Sequence, residues 1–321
     1  MKRTAKAPAN IAFIKYWGKV NEKLRLSANS SISMNLSNAY TVTSVDFSKE
    51  YESDSLFIND SKVREGELQR VSSHLDLIRK ISKTSSFAKV ESTNNFPKAS
   101  GIASSASGFA ALTIAASSAA GLNLSEKELS ILARLGSGSA CRSIPDGFVE
   151  WKMGKTSDDS YASSIFEPNY WNICDLIVII GENSKKVSST EGHAIAESSP
   201  FYKTRIMGIE EKVKGIKNAI KDKDFTKFGE IIEAEAINMH AVMMTSNPPL
   251  FYWKPATLDV ITNVIELREK GLECYFTIDA GPNVHVICLE KYFVKLKTKL
   301  LDVKGVKKVL VNIPSIGARL V

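Results

Sequence analysis

Hydrophobic and polar positions change their spacing about halfway along the chain. In the first half, Tyr40 to Phe47 and Ser55 to Ile58 carry the β-branched and aromatic residues that strands favour, and Gly147 to Trp151 has the same character. Leu176 to Ile180 is apolar throughout and predicts a buried strand, beyond which helical spacing dominates. The first half is therefore expected to alternate short strands with loops, and the second half to be richer in helices.

Two helices are predicted within the first half. Ser104 to Ala120 is a run of alanine, serine and a few large apolar residues without a polar face, which is typical of a helix buried on most sides, and Gly121 ends it. Ser125 followed by Glu128 predicts a capping box for another helix that runs through Arg134.

The second half predicts helices that alternate with strands. Steps of 3, 4, 3 and 4 residues separate five apolar positions, which predicts one helix with lysines on its other face: Ile206, Ile209, Val213, Ile216 and Ile220. Further helices are expected at Phe225 to Met239, at Leu258 to Lys270 ending on Gly271, and at Lys291 to Leu301. Strands fit between them at Glu273 to Ile278, Val284 to Leu289 and Lys308 to Asn312.

This change of pattern predicts two domains, residues 1–180 and residues 181–321. The alternation in the second part is typical of a helix layer on one face of an antiparallel sheet. No internal repeat or linker is visible in the sequence.

Composition narrows the class of protein. The chain has 321 residues, of which 44% are hydrophobic and 24% charged, which is globular usage and excludes disordered and collagen-like chains. No stretch approaches ~18 consecutive apolar residues, and Met1 to Lys6 runs into polar sequence rather than a secretory signal. We therefore expect a soluble cytoplasmic protein without a membrane partner.

The net charge of +7 is spread evenly along the chain, without a basic tail. An even surplus fits an anionic small molecule or a merely basic surface, whereas nucleic-acid binders usually concentrate their basic residues. The four cysteines and four histidines are scattered without metal-ligand spacing, so buried thiols are expected rather than a metal cluster or a disulfide scaffold.

The most distinctive local feature is the segment PKASGIASSASG at residues 97–108, a glycine- and serine-rich turn that opens into the predicted buried helix. Small side chains let backbone N–H groups approach a phosphate, serine hydroxyls add donors or bind magnesium, and the helix N-terminus adds positive potential. The Walker pattern is absent. On composition alone, a helix start in a tight core explains the segment equally well.

Three further segments carry candidate chemistry. Lys15 lies in NIAFIKYWGK, within a strand that otherwise reads as buried; it either meets an anion or extends its ammonium to the surface at a strand end. Arg142 ends the flexible segment LGSGSACR and is able to hold a carboxylate or phosphate through its fork. Asp279 lies in IDAGPN between two strands, where an ordinary turn is the competing interpretation. Together these parts favour phosphoryl transfer from a nucleotide.

Seven segments in chain order resemble the diphosphomevalonate decarboxylase family. They are NIAFIKYWGK (10–19), NSSISMNL (29–36), ASGIASSASGFAAL (99–112), GSGSACRS (136–143), GFVEW (147–151), SSTEGH (188–193) and FTIDAGPN (276–283). The resemblance covers nearly the whole chain, and seven collinear motifs are far more specific than any one of them.

The family belongs to the galactokinase, homoserine kinase, mevalonate kinase and phosphomevalonate kinase superfamily. The resemblance implies an α+β fold of two domains, an N-terminal α/β domain and a ferredoxin-like C-terminal domain, with the active site in the cleft between them. In the kinases the phosphate loop usually reads G-L-G-S-S, whereas this chain has Ala103 at the second glycine, as the decarboxylases do.

The resemblance also implies the reaction and the roles of individual residues. ATP phosphorylates the C3 hydroxyl of mevalonate 5-diphosphate, phosphate then leaves, and loss of CO2 gives isopentenyl diphosphate for isoprenoid synthesis. Asp279 matches the catalytic aspartate, Lys15 the lysine beside it, and Arg142 the arginine that holds the C1 carboxylate. Contacts to the 5-phosphoryl end are implied for Tyr16, Lys19, Ser137, Gly138, Ser139, Ser189 and Thr190. Contacts to ATP are implied for Ser100, Gly101, Ala103, Ser104, Ser105 and Ser107, with Ser105 also the ligand of Mg²⁺.

Three departures from the family pattern leave the 5-substituent open between diphosphate and monophosphate. His193 stands where many members have methionine, Asp146 stands where glycine is common, and the segment from Gly192 to Pro200 is about one residue shorter. We expect these positions to flank the substrate end. The alternatives are a phosphomevalonate decarboxylase that gives isopentenyl phosphate, a mevalonate-type 3-kinase without decarboxylation, and an inactive binding or nucleic-acid protein on the same fold. A homodimer is expected from the resemblance alone.

Overall fold

The computed structural model describes residues 1–63, 65–96, 104–181 and 187–321. The strands in these ranges are β1 (Lys2–Ile14), β2 (Lys19–Asn21), β3 (Leu26–Ser27), β4 (Ser31–Ser48), β5 (Ser55–Ile58), β6 (Ser61–Lys62), β7 (Phe87–Asn94), β8 (Phe148–Trp151), β9 (Ala162–Phe166), β10 (Ile173–Ile179), β11 (Cys274–Thr277), β12 (Val284–Leu289), β13 (Lys308–Asn312) and β14 (Arg319–Leu320). The α-helices are α1 (Glu65–Ser82), α2 (Ser104–Ala119), α3 (Glu126–Gly136), α4 (Ser189–Ala194), α5 (Tyr202–Met207), α6 (Ile209–Asp222), α7 (Phe225–Met244), α8 (Pro255–Glu269) and α9 (Phe293–Leu301).

The first sheet has the order β14-β1-β4-β7-β5-β6, and β8 and β9 extend it from β4. Its pairs are antiparallel except for β5 and β7. Helices α1, α2 and α3 cover one face, where Phe47, Leu75, Ala111, Leu112 and Leu132 are among the buried residues of one apolar core.

The expectation of short strands in the first half is wrong, because β1 has 13 residues and β4 has 18. The polar pair Ser37-Asn38 resembles a turn in the sequence, but β4 runs through it. The two halves of β4 pair with different neighbours, Ser31 to Met34 with β8 and Thr41 to Ser48 with β7. One long strand therefore takes part in both wings of the sheet.

Helix α1 was not predicted from the sequence. Its apolar signal is weak because its buried residues are only His74, Leu75 and Ile78. By contrast, α2, the capping box of α3, and the strands β5 and β8 are confirmed close to the predicted bounds. Gly121 adopts a φ of 76° directly beyond the end of α2, a conformation that glycine takes at little steric cost.

The second sheet has the order β11-β12-β10-β13 with antiparallel pairs throughout. This is the strand order of a ferredoxin-like unit, so the predicted α+β fold with a ferredoxin-like second part is confirmed. Helices α8 and α9 cover one face. On the other face, Ile216, Phe228 and Ile232 of α6 and α7 share a core with Ile11 and Phe13 of β1, which joins the two sheets.

The predicted division at residue 180 stays a prediction. Strand β10 ends at Ile179 yet pairs with β12 and β13, and β14 at the end of the chain returns to pair with β1.

Two helix predictions need correction. The single helix through Ile206 is broken at Gly208, so Ile206 belongs to α5 and the remaining stripe to α6. Helix α7 continues five residues past Met239, to Met244.

No helix in the described ranges is long and apolar enough to cross a membrane. The four cysteines are all buried free thiols.

Candidate active site

A cavity of about 340 Å³ opens where the end of β1, the start of α2 and the turn after β11 meet. Among the described residues that line it, five are cationic, namely Lys15, Lys19, Arg25, Arg70 and Arg142, whereas Asp279 is the one carboxylate. The remaining lining residues are Ala12, Tyr16, Trp17, Ser104, Ser105, Ser137, Gly138, Ser139, Ser188, Ser189, Thr190, His193, Met239 and Ala280. A concave surface with this excess of positive charge attracts a small molecule that carries several negative charges.

Lys15 and Asp279 form an ion pair at the bottom of this cavity. The Nζ of Lys15 lies 2.7 Å from Oδ1 of Asp279 and also donates to the carbonyl of Ala12 at 2.7 Å. Lys15 is 1% exposed, so its ammonium does not reach the surface at the strand end, and the anion that its burial requires is Asp279. The Asp279 side chain remains 21% exposed, toward the cavity.

The two pKa values of this pair are set by opposing effects. Burial lowers the pKa of Lys15, and the nearby carboxylates of Asp279 and Glu235 only partly offset this. Burial favours a raised pKa for Asp279, but the charges of Lys15, His285 and Arg142 outweigh it and hold the pKa below the ordinary value. Asp279 is therefore an ionised acceptor at neutral pH.

Arg142 is 3% exposed and lies in the short 3-10 helix Gly138–Ser143 that follows α3. Its Nε and Nη2 donate to Oδ1 of Asn10 at 3.2 and 3.1 Å, and its Nη1 donates to Oγ of Ser31 at 2.9 Å. Both partners are neutral, and no carboxylate of the described residues forms an ion pair with Arg142. A buried guanidinium held in this way is prepared for an anion that arrives with a ligand.

Tyr16 presents an unused donor at the other side of the cavity. Its hydroxyl is buried and has no hydrogen-bond partner among the described residues, and burial raises its pKa. Gly138 packs so closely on the Tyr16 ring that a Cβ there would lie 2.8 Å from a ring carbon, which explains the glycine. An unsatisfied buried hydroxyl is costly unless a ligand oxygen accepts from it.

The other predicted contacts to the phosphoryl end line the same cavity. Ser137, Ser139, Ser189 and Thr190 contribute hydroxyl groups to its wall. The side chain of Lys19 is 2% exposed, and its Nζ pairs at 2.6 Å with Glu22, whose side chain is 62% exposed.

His193 lines the cavity and packs on two aromatic residues that also line it. Its ring centroid is 4.1 Å from that of Tyr16 and 4.5 Å from that of Trp17, and its Nδ1 accepts the backbone N–H of Gly18 at 2.9 Å. Burial, with Lys19, Arg25 and Arg142 nearby, holds its pKa well below the usual value. The ring is therefore neutral, with its proton on Nε2, so that it is a donor and not a cation.

Asp146 does not flank this cavity, so that expectation is wrong. Its carboxylate accepts the N–H of Gly317 at 2.7 Å and pairs with Arg319 at 2.6 Å. The sequence could not show this, because Arg319 reaches Asp146 only when the end of the chain returns to β1.

A second cavity, of about 170 Å³, adjoins the first at the start of α2. Arg70, Ser104 and Ser105 line both cavities. The second has apolar walls from Leu56, Ile58 and other residues and polar atoms from Ser92 and Asn94, which suits a flat heteroaromatic base.

The junction of the two cavities fits a nucleotide phosphate with its metal ion. Here α2 begins, and the hydroxyls of Ser104 and Ser105 face it, with Ser137 Oγ 3.2 Å from that of Ser105. Backbone N–H groups at a helix start and serine hydroxyls donate hydrogen bonds to phosphate, and a hydroxyl oxygen is also able to coordinate Mg²⁺. Ser107 lines neither cavity, and its buried hydroxyl forms a hydrogen bond with that of Thr41 at 2.7 Å. Ser100, Gly101 and Ala103 fall outside the described residues.

Two cationic residues of the cavity were not found from the sequence. Arg25 is held through Nε by the carbonyl of Leu135 at 3.0 Å, and the guanidinium of Arg70 lies 5.2 Å from the centre of the Phe109 ring. Both arginines sit in polar segments where a solvent-exposed side chain is the ordinary expectation, so the sequence carries no signal for them.

Comparison with known proteins is consistent with this geometry. Residues 7–162 match the family model of a diphosphomevalonate decarboxylase-like N-terminal domain, and residues 175–312 match that of a mevalonate 5-diphosphate decarboxylase C-terminal domain. A diphosphomevalonate decarboxylase from Debaryomyces hansenii is 35% identical, over 96% of this chain and 92% of the relative.

Solved structures agree over the whole chain. One, described as MDDEF in complex with MVAPP, AMPPCP and magnesium, has a TM-score of 0.95 and 42% identity, and covers 100% of this chain and 99% of that chain. Another, of the mevalonate diphosphate decarboxylase from Enterococcus faecalis, has a TM-score of 0.94 and 42% identity with the same coverage.

Proposed function

The chain belongs to the diphosphomevalonate decarboxylase family, and we propose that Lys15, Arg142 and Asp279 carry out its chemistry. It is an enzyme that decarboxylates mevalonate 5-diphosphate to isopentenyl diphosphate with ATP and Mg²⁺, in the mevalonate pathway. The observation that carries the proposed residue roles is the joint presence, in one cationic cavity, of the Lys15–Asp279 ion pair and of a buried guanidinium without a carboxylate partner among the described residues.

Asp279 orients the C3 hydroxyl of the substrate and accepts its proton as the new P–O bond forms. A carboxylate is too weak a base to deprotonate a tertiary alcohol beforehand, so the transfer accompanies phosphorylation. The ion pair with Lys15 keeps Asp279 ionised for this purpose, and the ammonium neutralises charge on the transferring phosphoryl group.

Arg142 holds the C1 carboxylate of the substrate. Its bonds to Asn10 and Ser31 fix the plane of the guanidinium, and the fork then aligns the carboxylate as phosphate leaves C3 and CO2 departs. The electron pair of the broken C1–C2 bond becomes the new C–C double bond.

ATP is proposed to lie across the two cavities, with its base in the smaller one and its phosphates at the start of α2. Ser104 and Ser105 are the described residues proposed to contact them, and the proposal extends to Ser100, Gly101 and Ala103 of the preceding segment. Ser105 is the proposed protein ligand of Mg²⁺, which supplies charge neutralisation for the transferring phosphoryl group.

The experiment that tests the function is a coupled assay with ATP that scores ADP and CO2 separately. Mevalonate 5-diphosphate, mevalonate 5-phosphate and mevalonate are the three substrates to compare. Equal yields of ADP and CO2 from the diphosphate are expected. ADP without CO2 would indicate a 3-kinase instead.

The diphosphate is expected to exceed the monophosphate by about 10²-fold in kcat/KM. Tyr16, Lys19, Ser137, Ser139 and Ser189 offer more donors than one phosphate requires, and two added charge-assisted hydrogen bonds contribute ~1.5 kcal/mol each. Asp146 does not oppose this gain, since Arg319 pairs with it outside the cavity. Initial rates at matched Mg²⁺ measure the ratio, and a ratio of one or less would contradict the proposed binding of the 5-diphosphate.

His193→Phe is expected to lower kcat/KM for the diphosphate by about tenfold, mainly through KM. Phenylalanine keeps the ring stacking on Tyr16 and Trp17 but removes both the acceptor for Gly18 N–H and the Nε2 donor, at a cost of roughly 1–2 kcal/mol. The variant is compared with the wild-type enzyme, and its melting temperature shows whether the fold is retained. A His285→Phe control would itself disturb the fold, because the His285 ring pairs with buried Asp175. An unchanged KM would exclude His193 from the substrate contacts.

A homodimer is a further part of this proposal, based on the family resemblance alone. Sedimentation of the full chain tests it directly.

A further inference from the structure

A buried ion-pair cluster lies behind Lys15, outside the lining of the cavity. Glu235 of α7 and Arg205 of α5 pair through Oε1 and Nη2, and both side chains are 0% exposed. Lys212 of α6 reaches the other oxygen of Glu235 at 2.9 Å from a side chain that is 30% exposed. Neither Glu235 nor Arg205 lines the cavity, so neither is in position to touch the substrate through it.

This cluster forms hydrogen bonds with both the N–H and the carbonyl of the Lys15 backbone. The Lys15 N–H donates to Oε1 of Glu235 at 3.2 Å, and Nη2 of Arg205 donates to the Lys15 carbonyl at 3.2 Å. Asn29 Nδ2 donates to the same carbonyl at 3.0 Å. Lys15 follows the last residue of β1, where the sheet no longer provides its partners, and a buried peptide group needs such replacements.

We propose that Glu235 and Arg205 are positioning residues that fix the Lys15 backbone so that its ammonium meets Asp279. The proposal rests on the proposed role of Lys15. The two residues come from two helices of the second half, whereas Lys15 lies at the end of β1, so the cluster ties the first sheet to the part of the chain that carries Asp279.

Stability alone does not account for such a cluster. A buried ion pair is often no more stabilising than apolar side chains of similar size, since its desolvation offsets the attraction between its charges. Here Oε1 of Glu235 and Nη2 of Arg205, which pair with each other, also bind the N–H and the carbonyl of Lys15. The ion pair therefore fixes the position of the Lys15 backbone.

The charge of Glu235 also acts on the Lys15 side chain. The groups that face Lys15 are Asp279, Glu235, Arg142 and Arg205, together with the buried His240 ring, whose pKa of about 3 keeps it neutral. Burial lowers the pKa of Lys15, and Glu235 raises it. Removal of the Glu235 charge is therefore expected to lower the pKa of Lys15 further, so that the loss of activity at alkaline pH begins at a lower pH.

Glu235→Gln tests the proposal because glutamine keeps the size of the side chain but removes its charge. It also replaces one of the two oxygens that accept from Arg205, Lys212 and the Lys15 N–H with an amide donor. We expect kcat to fall by about 10²-fold, as misplacement of a reacting group by ~1 Å does, with KM for ATP within about threefold of wild type. The alkaline limb of the kcat profile should move to lower pH. A purely structural role would lower the melting temperature without moving that limb.

Glu233→Gln is the matched control. Glu233 lies on the same helix, pairs with Arg268 at 2.8 Å and accepts a backbone N–H, that of Phe276, at 3.0 Å, but it does not contact Lys15. We expect its kcat within about threefold of wild type. Equal kcat losses in Glu233→Gln and Glu235→Gln would overturn the proposal.

Two further variants keep the test decisive. Arg205→Met combined with Glu235→Met leaves no buried unpaired charge, so it should fold while kcat stays at least about tenfold low; full recovery of kcat would overturn the proposal. Lys15→Met tests the proposed function separately. Full activity of Lys15→Met would remove the role of Lys15 and with it the need to position that residue, whereas an inactive Lys15→Met beside a normal Glu235→Gln would overturn the positioning role alone.

Discussion

Asp279→Asn should lower kcat by at least ~10²-fold while ATP binding is retained. Asparagine keeps the size of the side chain and one oxygen acceptor, but it neither accepts the proton of the C3 hydroxyl nor provides the negative charge that Lys15 meets at 2.7 Å. Turnover measured through ADP and CO2, and nucleotide affinity measured by titration calorimetry, separate the two effects.

Asp146→Asn is the matched control for this substitution. Asp146 is also a partly buried aspartate in an ion pair, with Arg319, but it lies outside the lining of the cavity. Its variant should retain kcat within about threefold. Near-normal turnover of Asp279→Asn would remove Asp279 from the proposed chemistry.

The sequence signals for the site were local anomalies. Lys15 stands out because a lysine in an apolar segment needs an anion, and the helix start after residue 103 stands out because its residues are small. Neither anomaly identifies the partner. Asp279 lies 264 residues away from Lys15 along the chain, and only the packing of the second half against β1 brings the two together.

The site residues that the sequence analysis did not identify have no unusual residue type or neighbour in the sequence to mark them. Glu235 lies on a helix that also carries several exposed polar side chains, and its sequence neighbours do not reveal that it is fully buried against Lys15. Arg25 and Arg70 similarly resemble surface residues. The elements of the second half were easier to predict, because β12 and β13 match their predicted bounds and alternate with helices. The ferredoxin-like arrangement of these strands was implied by the family resemblance and not by the pattern.

The fold also explains two of the errors in the predicted elements. The apolar spacing continues regularly past Met207, but α5 ends there with Gly208 as its C-cap. The glycine and not the spacing therefore ends the helix. Strand β4 passes through Ser37 and Asn38 because their side chains and backbone groups bind Ile313, Val311 and Asn312 near the end of the chain. In both cases the deciding contact or residue lies outside the pattern that the prediction used.

Arg142 provides the second large expected effect, because its three donor contacts show how it is held. Oδ1 of Asn10 accepts hydrogen bonds from two nitrogens of the Arg142 guanidinium, and Nδ2 of Asn10 donates to Oγ of Ser143 at 2.8 Å. The guanidinium therefore sits in a fixed orientation. A lysine has a single ammonium and no plane, so it is unable to satisfy Asn10 and Ser31 and hold a substrate carboxylate with two bonds as well.

Arg142→Lys is therefore expected to lower kcat/KM for mevalonate 5-diphosphate by about 10- to 10²-fold, the equivalent of roughly 1.5–3 kcal/mol for one charge-assisted contact. Because Arg142 acts on the carboxylate that leaves, CO2 release should fall at least as far as ADP release, and separate quantification of the two products measures this. Arg319→Lys, which changes an arginine paired with Asp146 outside the cavity, should remain close to wild type. Unchanged kcat/KM for Arg142→Lys would exclude Arg142 from the grip on the carboxylate and leave its burial beside Asn10 without a catalytic reason.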